Sequence, residues 1–349
     1  MAVVKFYTYS KLKKIVTGGH KYDSDLKNII GEISGISVEE TIIETGGGNP
    51  LVKSFKELRK GIQESRNADL IIFNSSKCLR FLPLMIWLRF FGRKTVYSIH
   101  HHFIFLEFKG IKRFVYKTAE SLFLKWSNKI IVPSPYIYDI LRKKKSENDL
   151  LLWRIPFETK AEFPLEPVPG NLSYTGTIEP RKGLIYLLEA LKILKGKGMN
   201  LPLKIMGKVI NEDYYKKLVN YIDEFGLDVT FTGFLDREEK NLNLSKTDIF
   251  TFPSLLEGFG MVLVEAQVYG LPIVCFDNSS MPFSVKNNEN GFLVPTGNSE
   301  EMAERISQIV NDRSLRNRLS EGALENVKNQ NTYSKFRKTV IDYFRANFK

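Results

Sequence analysis

At 349 residues the chain exceeds what one hydrophobic core usually organises, so two domains are expected. Its 43% hydrophobic and 26% charged content excludes wholesale disorder. The net charge of +12 is uneven: residues 1–150 carry 26 Lys+Arg against 14 Asp+Glu, while residues 151–349 carry 25 of each. Such asymmetry points to an anionic partner of the first half, whether nucleic acid, a membrane surface or a phosphorylated substrate, with solubility alone as the plain alternative.

In chain order, Met1 runs into Ala-Val-Val-Lys-Phe, which is too short for the apolar core of a signal peptide, so a cytoplasmic protein is expected. A strand over 3–7 leads to a loop containing Thr17-Gly18-Gly19-His20, then to helical spacing over 22–33. Continuous β-rich runs at 69–73, 95–99 and 129–132 predict strands buried on both faces of a parallel sheet. The most hydrophobic stretch, 81–91, is cut by Arg89 and falls short of the ~20 apolar residues that cross a bilayer, which makes the protein soluble or peripheral. Cys78 and Cys275 match no metal or redox spacing and are expected as reduced core thiols. The adjacent His100, His101 and His102 form no zinc pattern.

Residues 103–126 interleave seven aromatic rings, from Phe103 to Trp126, with Lys109, Lys112, Arg113, Lys117 and Lys125. That mixture suits a helix at a lipid interface, and equally a core helix with a solvated basic face. Arg142-Lys143-Lys144-Lys145 reads as a solvated helix end. Pro156, Pro164, Pro167 and Pro169 mark a linker over about 150–170. Beyond it, strands are expected at 171–175, 203–206, 229–232, 249–252 and 273–276. A loop at 176–183 precedes an amphipathic helix at 184–195, and a last helix at 333–348 has no strand after it. The alternation defines a doubled α/β architecture.

The segment from Pro253 to Ala266 follows a strand and opens a helix. Gly258 and Gly260 let a ligand approach the backbone, and the helix N-terminus behind them offers N–H groups and a positive dipole end suited to a diphosphate. Glu257 lies before this turn and Glu265 eight residues later, so that both could accept paired hydrogen bonds from the vicinal hydroxyls of a sugar or ribose. On spacing alone, a loop-capping Glu257 and a surface Glu265 serve as well.

The block 252–277, with Gly270-Leu271-Pro272-Ile273-Val274, resembles the glutamate-x7-glutamate signature of glycosyltransferase family 4, retaining enzymes of GT-B fold. Gly176-Thr177-Ile178-Glu179-Pro180-Arg181-Lys182-Gly183 resembles that family's first strand–loop with its phosphate-binding lysine. Gly207, Gly233 and Asn290-Gly291-Phe292-Leu293 follow in the family's order, so the likeness covers most of 170–310. In the first half it is confined to Gly18-Gly19, a histidine after the 95–99 strand, and the run from Ser127 to Ser134.

The resemblance implies two Rossmann-like domains facing across a cleft. An acceptor-side domain would span 1–155, with the C-terminal helix 333–349 crossing back to it, and a donor-binding domain would span 170–330. It implies that Lys182 and Arg181 neutralise the donor diphosphate and that Glu265 holds the ribose. Glu257 and the backbone of Gly258, Phe259 and Gly260 would contact sugar and phosphate. Gly18 and Gly19 would let a loop close over the phosphate, and His100 would reach the sugar or acceptor. Thr177 stands where many members carry arginine, which leaves Arg181 as the substitute.

The expected function is therefore retaining transfer of a hexose from a nucleotide-diphosphate sugar to a lipid-linked or other glycan acceptor, with the leaving phosphate as base. An anionic membrane surface is an expected partner and nucleic acid is not. No Asp-x-Asp sits at a strand end, so no metal and no cofactor are expected. The rivals are an epimerase or phosphorylase of the same fold, a basic nucleic-acid-binding protein, and a sugar-binding homologue without activity.

Overall fold

A computed structural model describes residues 1–8, 18–42, 50–92 and 94–348. It divides into two compact units, one made of Met1–Pro156 with Tyr333–Lys349 and the other of Phe157–Thr332.

The first unit opens with β1 (Ala2–Thr8), α1 (Gly18–Gly31), β2 (Ile36–Ile42), α2 (Pro50–Ser65) and β3 (Leu70–Asn74). It continues with α3 (Cys78–Phe90), β4 (Thr95–Ile99), α4 (Gly110–Trp126), β5 (Lys129–Val132), α5 (Pro135–Leu141) and β6 (Leu150–Leu152). The six strands form one parallel sheet in the order β2-β1-β3-β4-β5-β6. β3, β4 and β5 are buried along nearly their whole length, as their uninterrupted apolar runs require of strands covered by helices on both faces. Helix α3 is a core helix, with Cys78, Phe81, Leu84, Met85 and Leu88 buried. Among the described residues no helix is long and apolar enough to cross a membrane.

Two expectations need correction here. The loop around Gly18 and Gly19 is, in its described part, the first turn of α1, while Thr17 lies outside the described residues. A helix start tolerates glycine because its first N–H groups have no intrahelical acceptor to lose. The proline-rich segment, expected as a linker, does contain the boundary between the units, but much of it is paired rather than loose. Leu150–Leu152 is a strand, and the N–H groups of Glu166 and Val168 donate to Ser245 O (2.9 Å) and Lys246 O (3.2 Å). Pro167 and Pro169 follow those two donors, so the missing proline N–H groups fall where none is needed.

The second unit contains β7 (Leu172–Thr175), α6 (Leu184–Gly196), β8 (Leu203–Met206), α7 (Glu212–Phe225), β9 (Val229–Gly233), α8 (Arg237–Ser245) and β10 (Ile249–Phe252). After these come α9 (Met261–Val268), β11 (Ile273–Phe276), α10 (Met281–Ser284), β12 (Gly291–Val294), α11 (Ser299–Asn311) and α12 (Arg313–Lys328). Its parallel sheet runs β12-β11-β10-β7-β8-β9. The strand order reverses between β7 and β10, and in open α/β sheets the crevice outside the strand carboxyl ends at such a reversal is where ligands bind.

The last helix, α13 (Tyr333–Asn347), returns to the first unit and packs on α1. Phe336 lies 5.2 Å from the Tyr22 ring and Phe344 lies 6.2 Å from Trp153. Both cysteines are free and buried, as expected; burial pushes the Cys78 thiol up to about 12 and raises Cys275 as well.

Candidate functional site

In the second unit the loops after β7 and β10 meet at the reversal point. The first passes through a short turn, Pro180–Lys182, to Gly183, whose φ of +65° is a left-handed value. A Cβ on Gly183 would lie 2.1 Å from the carbonyl oxygen of Pro253, so only glycine lets the two loops touch. The backbone N–H of Leu255 then donates to Arg181 O at 2.9 Å, which closes the contact.

This closure brings Lys182 onto Glu257. The lysine is buried, its Nζ donates to Glu257 Oε1, and it lies 5.6 Å over the Phe252 ring at the end of β10. Ser254 Oγ donates to the same carboxylate oxygen at 2.9 Å, and Arg181 stands 3.7 Å from it. All these contacts fall on Oε1; among the described residues Oε2 accepts no hydrogen bond. Arg181 is itself oriented by Leu256 O (2.8 Å) and Glu179 Oε1 (2.9 Å). Thr177 donates to that same Glu179 oxygen at 2.7 Å, so it acts on Arg181 through Glu179. The cluster holds two cations against two carboxylates.

Directly after Glu257, residues 258–260 lead into α9, and Gly260 caps the helix at φ +77° without a side-chain bond. Among the described residues the N–H groups of Gly258, Phe259, Gly260, Met261 and Val262 donate no hydrogen bond, which leaves a row of donors at the helix's positive end. The loops behind are tied in by Asn278, whose amide donates to Ser254 O (3.2 Å) and Thr296 Oγ1 (2.9 Å). Glu265 is not part of the Lys182–Glu257 pair. It lies on α9 and binds Lys240 of α8 at 2.7 Å. Ser254, Glu179, Lys240 and Asn278 went unread in the sequence. Glu179 and Ser254 lie inside the 176–183 and 253–266 segments and were given no role there, whereas Lys240 and Asn278 carry no local signal.

The first unit holds a separate polar group at the ends of β3 and β4. Asp23 of α1 accepts from Asn74 (2.7 Å) and pairs with His101 Nε2 (2.8 Å), and a Cβ on Gly19 would lie 3.7 Å from the His101 ring. His100 is fully buried instead. Its Nδ1 shares a 2.7 Å hydrogen bond with Ser75, and its ring packs edge-on to Phe103 at 4.7 Å. Burial, then the neighbouring His102 and His101, lowers its pKa from the ordinary 6.5 to about 3, so the imidazole is neutral.

Two doubly wound parallel units in one chain, the second with an anion-ready reversal point, define the GT-B class of fold. The comparisons with known proteins agree. Residues 36–150 match the model of Glycosyltransferase Family 4, and residues 159–326 match that of Glycosyl transferases group 1. The chain belongs to the family-4 glycosyltransferases.

It is similar to the capsular polysaccharide biosynthesis glycosyltransferase CapM of Staphylococcus aureus, with 31% identity over 170 residues, 46% of this chain and 41% of that protein. The chain spans less than two thirds of the length of the leading curated relatives it matches. In structure it resembles sucrose-phosphate synthase from Thermosynechococcus elongatus (TM-score 0.81, 18% identity, 100% of this chain and 99% of that one). It also resembles Anabaena HepE in complex with UDP and glucose (TM-score 0.79, 18% identity, 99% and 100%). At that identity these likenesses establish the fold.

Proposed function

We propose that the chain transfers a sugar, with retention of anomeric configuration, from a nucleotide-diphosphate donor held by its second unit to a lipid-linked glycan acceptor. The observation that carries this reading is the Lys182–Glu257 pair at the strand-order reversal, beside the unpartnered N–H groups that open α9. A diphosphate there would compete with Glu257 for Lys182 and draw on Arg181 and the helix dipole, while the vacated carboxylate accepts from sugar hydroxyls. Glu265 would exchange Lys240 for the ribose hydroxyls. The relatives' names support a glycan product, and the HepE complex supports a UDP-type donor.

In the reaction the bond from the anomeric carbon to the donor phosphate oxygen breaks, and an acceptor oxygen bonds to the same face. The acceptor proton passes to the departing phosphate. Lys182, Arg181 and the α9 N–H groups stabilise the growing phosphate charge, so no metal ion is required. The acceptor is assigned to a lipid carrier, and the protein to a peripheral place at a cytoplasmic membrane face, because the excess positive charge of the chain lies in residues 1–150.

The test is a calorimetric and kinetic comparison over UDP-, GDP- and ADP-sugars. Glu265→Ala should weaken donor binding about tenfold or more, since hydrogen bonds to a charged acceptor contribute roughly 1.5–3 kcal/mol. Lys182→Ala should lower kcat more than donor affinity, because its charge matters most as the phosphate leaves. Wild-type affinity in Glu265→Ala would remove the ribose role. Donor binding without turnover on any acceptor, including donor hydrolysis, would make the chain a sugar-binding homologue.

A further inference from the structure

Helix α4 presents two different faces. Ala119, Glu120, Phe123 and Leu124 are buried, and Ala119 and Phe123 share a core with Cys78, Phe81 and Leu84 of α3. Its first two turns do the opposite: Ile111 is 85% exposed, Phe114 71% and Val115 42%. Positions 111, 114 and 115 fall on one side of a helix, and exposed Thr118 continues the stripe. At 3.6 residues per turn, Lys112 and Lys117 flank this stripe on its two sides, whereas Arg113 falls on the opposite side, 5.9 Å over the Phe105 ring, and exposed Lys109 precedes the helix at its cap.

No acidic residue occurs from Phe108 to Ala119, and among the described residues none of these four cations forms an ion pair. The first turn also lacks an acidic residue, and Lys109 at the cap position makes no capping bond. In water this is a locally unfavourable arrangement, with apolar side chains in solvent and cations gathered at the positive end of a helix. Lys112 and Arg113 lie over the rings of Phe108 and Phe105, each at 5.9 Å, but Ile111 and Phe114 stay in solvent. A local rule broken in that way marks a surface meant for a partner.

We infer that the first two turns of α4 dock on an anionic phospholipid bilayer. Ile111, Phe114 and Val115 enter the headgroup boundary, and Lys112 and Lys117 meet lipid phosphates on the two sides of the stripe. An apolar stripe between two cationic flanks matches a surface that is apolar beneath and anionic above. A nucleic-acid backbone offers nothing to the stripe, and a second copy of the chain would bring like charges together. The expectation that the whole 103–126 segment forms the interface is narrowed thereby. Phe108 stacks on Tyr116 at 4.3 Å, Phe103 packs on His100, and Trp126 packs on Phe90 at 5.6 Å, so those rings serve the fold.

This inference deepens the lipid-acceptor reading and rests on it for its biological sense, but its test is separate from catalysis. The full chain is sedimented with phosphatidylcholine vesicles and with vesicles of equal phosphatidylcholine and phosphatidylglycerol, at low and high salt. Binding to the mixed vesicles only, reduced by salt, is expected. Ile111→Asp/Phe114→Asp should abolish it, and Lys112→Ala or Lys117→Ala should each lower it about fivefold. Phe234→Asp, which removes a ring 72% exposed in the second unit, should leave it unchanged. Circular dichroism and the thermal midpoint check that the variants fold, and Phe114→Trp should shift its emission to the blue with mixed vesicles.

Absence of binding overturns the inference, as does binding that survives Ile111→Asp/Phe114→Asp. So does light scattering that shows a dimer abolished by the same pair. Donor affinity measured without vesicles reads the transferase proposal alone, so the two can fail independently.

Discussion

His100 ends β4 with its ring sealed from solvent, and among the described residues its Nε2 has no hydrogen-bond partner. A contact with sugar, as the family resemblance implies, would have to run through that nitrogen, whereas His101 on Asp23 keeps part of its ring open. The neutral state of His100 has a consequence for stability. Its folded pKa of about 3 lies below the ordinary 6.5, so between those values the unfolded chain binds a proton that the folded chain refuses. The stabilisation is complete above pH 6.5 and declines as pH falls towards 3. The slope is about 1.4 kcal/mol per pH unit, or about 2 kcal/mol lost by pH 5. Urea unfolding at pH 7 and pH 5 should show this loss in wild type, and His100→Asn should reduce the difference by that amount whatever its absolute stability. An equal pH dependence in both proteins would mean that His100 titrates normally.

At the scale of elements, the critical junction is Gly183, where one backbone position lets the β7 and β10 loops meet. Gly183→Ala must place a Cβ 2.1 Å from Pro253 O and hold alanine at φ +65°. The left-handed conformation alone costs about 1–2 kcal/mol, and separating the loops would also pull Lys182 from Glu257. The midpoint of thermal unfolding should fall and donor affinity with it; an unchanged midpoint and affinity would show that the loops need not touch.

The same elements show what was legible in the sequence. Strands at 69–73, 95–99, 129–132, 249–252 and 273–276 were readable because both their faces are covered and their apolar runs are unbroken. β2, β6 and β12 were not, and all three are edge strands of their sheets. β2 carries Glu39 and Glu40, which pair with Lys5 and Lys27, so its apolar run is broken. β6 is only three residues long and adjoins the prolines, and β12 begins at an Asn-Gly step that reads as a turn. In the site, Lys182 and Glu257 were legible from their loops. Their direct pairing was not, since 75 residues separate them and only the β7–β10 adjacency brings them together.

For the molecule as a whole, the chain path sets a test of how it folds. The second unit is one continuous segment, Phe157–Thr332, whereas the first needs Tyr333–Lys349 to complete it. Helix α13 contributes Phe336, Val340, Ile341 and Phe344, all buried in that unit. Burying an aliphatic or aromatic side chain stabilises by roughly 1.5–3 kcal/mol, so these four amount to roughly 6–12 kcal/mol as an upper bound. That rivals the entire stability of a typical domain, about 5–15 kcal/mol. Residues 1–156 made alone should therefore fail to reach a cooperative fold, with Tyr22 and Trp153 deprived of the rings that cover them. A peptide of residues 333–349 added in trans should restore folding, with protection appearing in α1 by hydrogen exchange. Residues 157–332 made alone should unfold cooperatively and keep the donor affinity of the full chain, because the Lys182–Glu257 junction lies wholly within them. If residues 1–156 fold with the stability of the intact unit, the returning helix is an appendage; if residues 157–332 fold but lose the donor, the proposed donor site needs residues outside that segment.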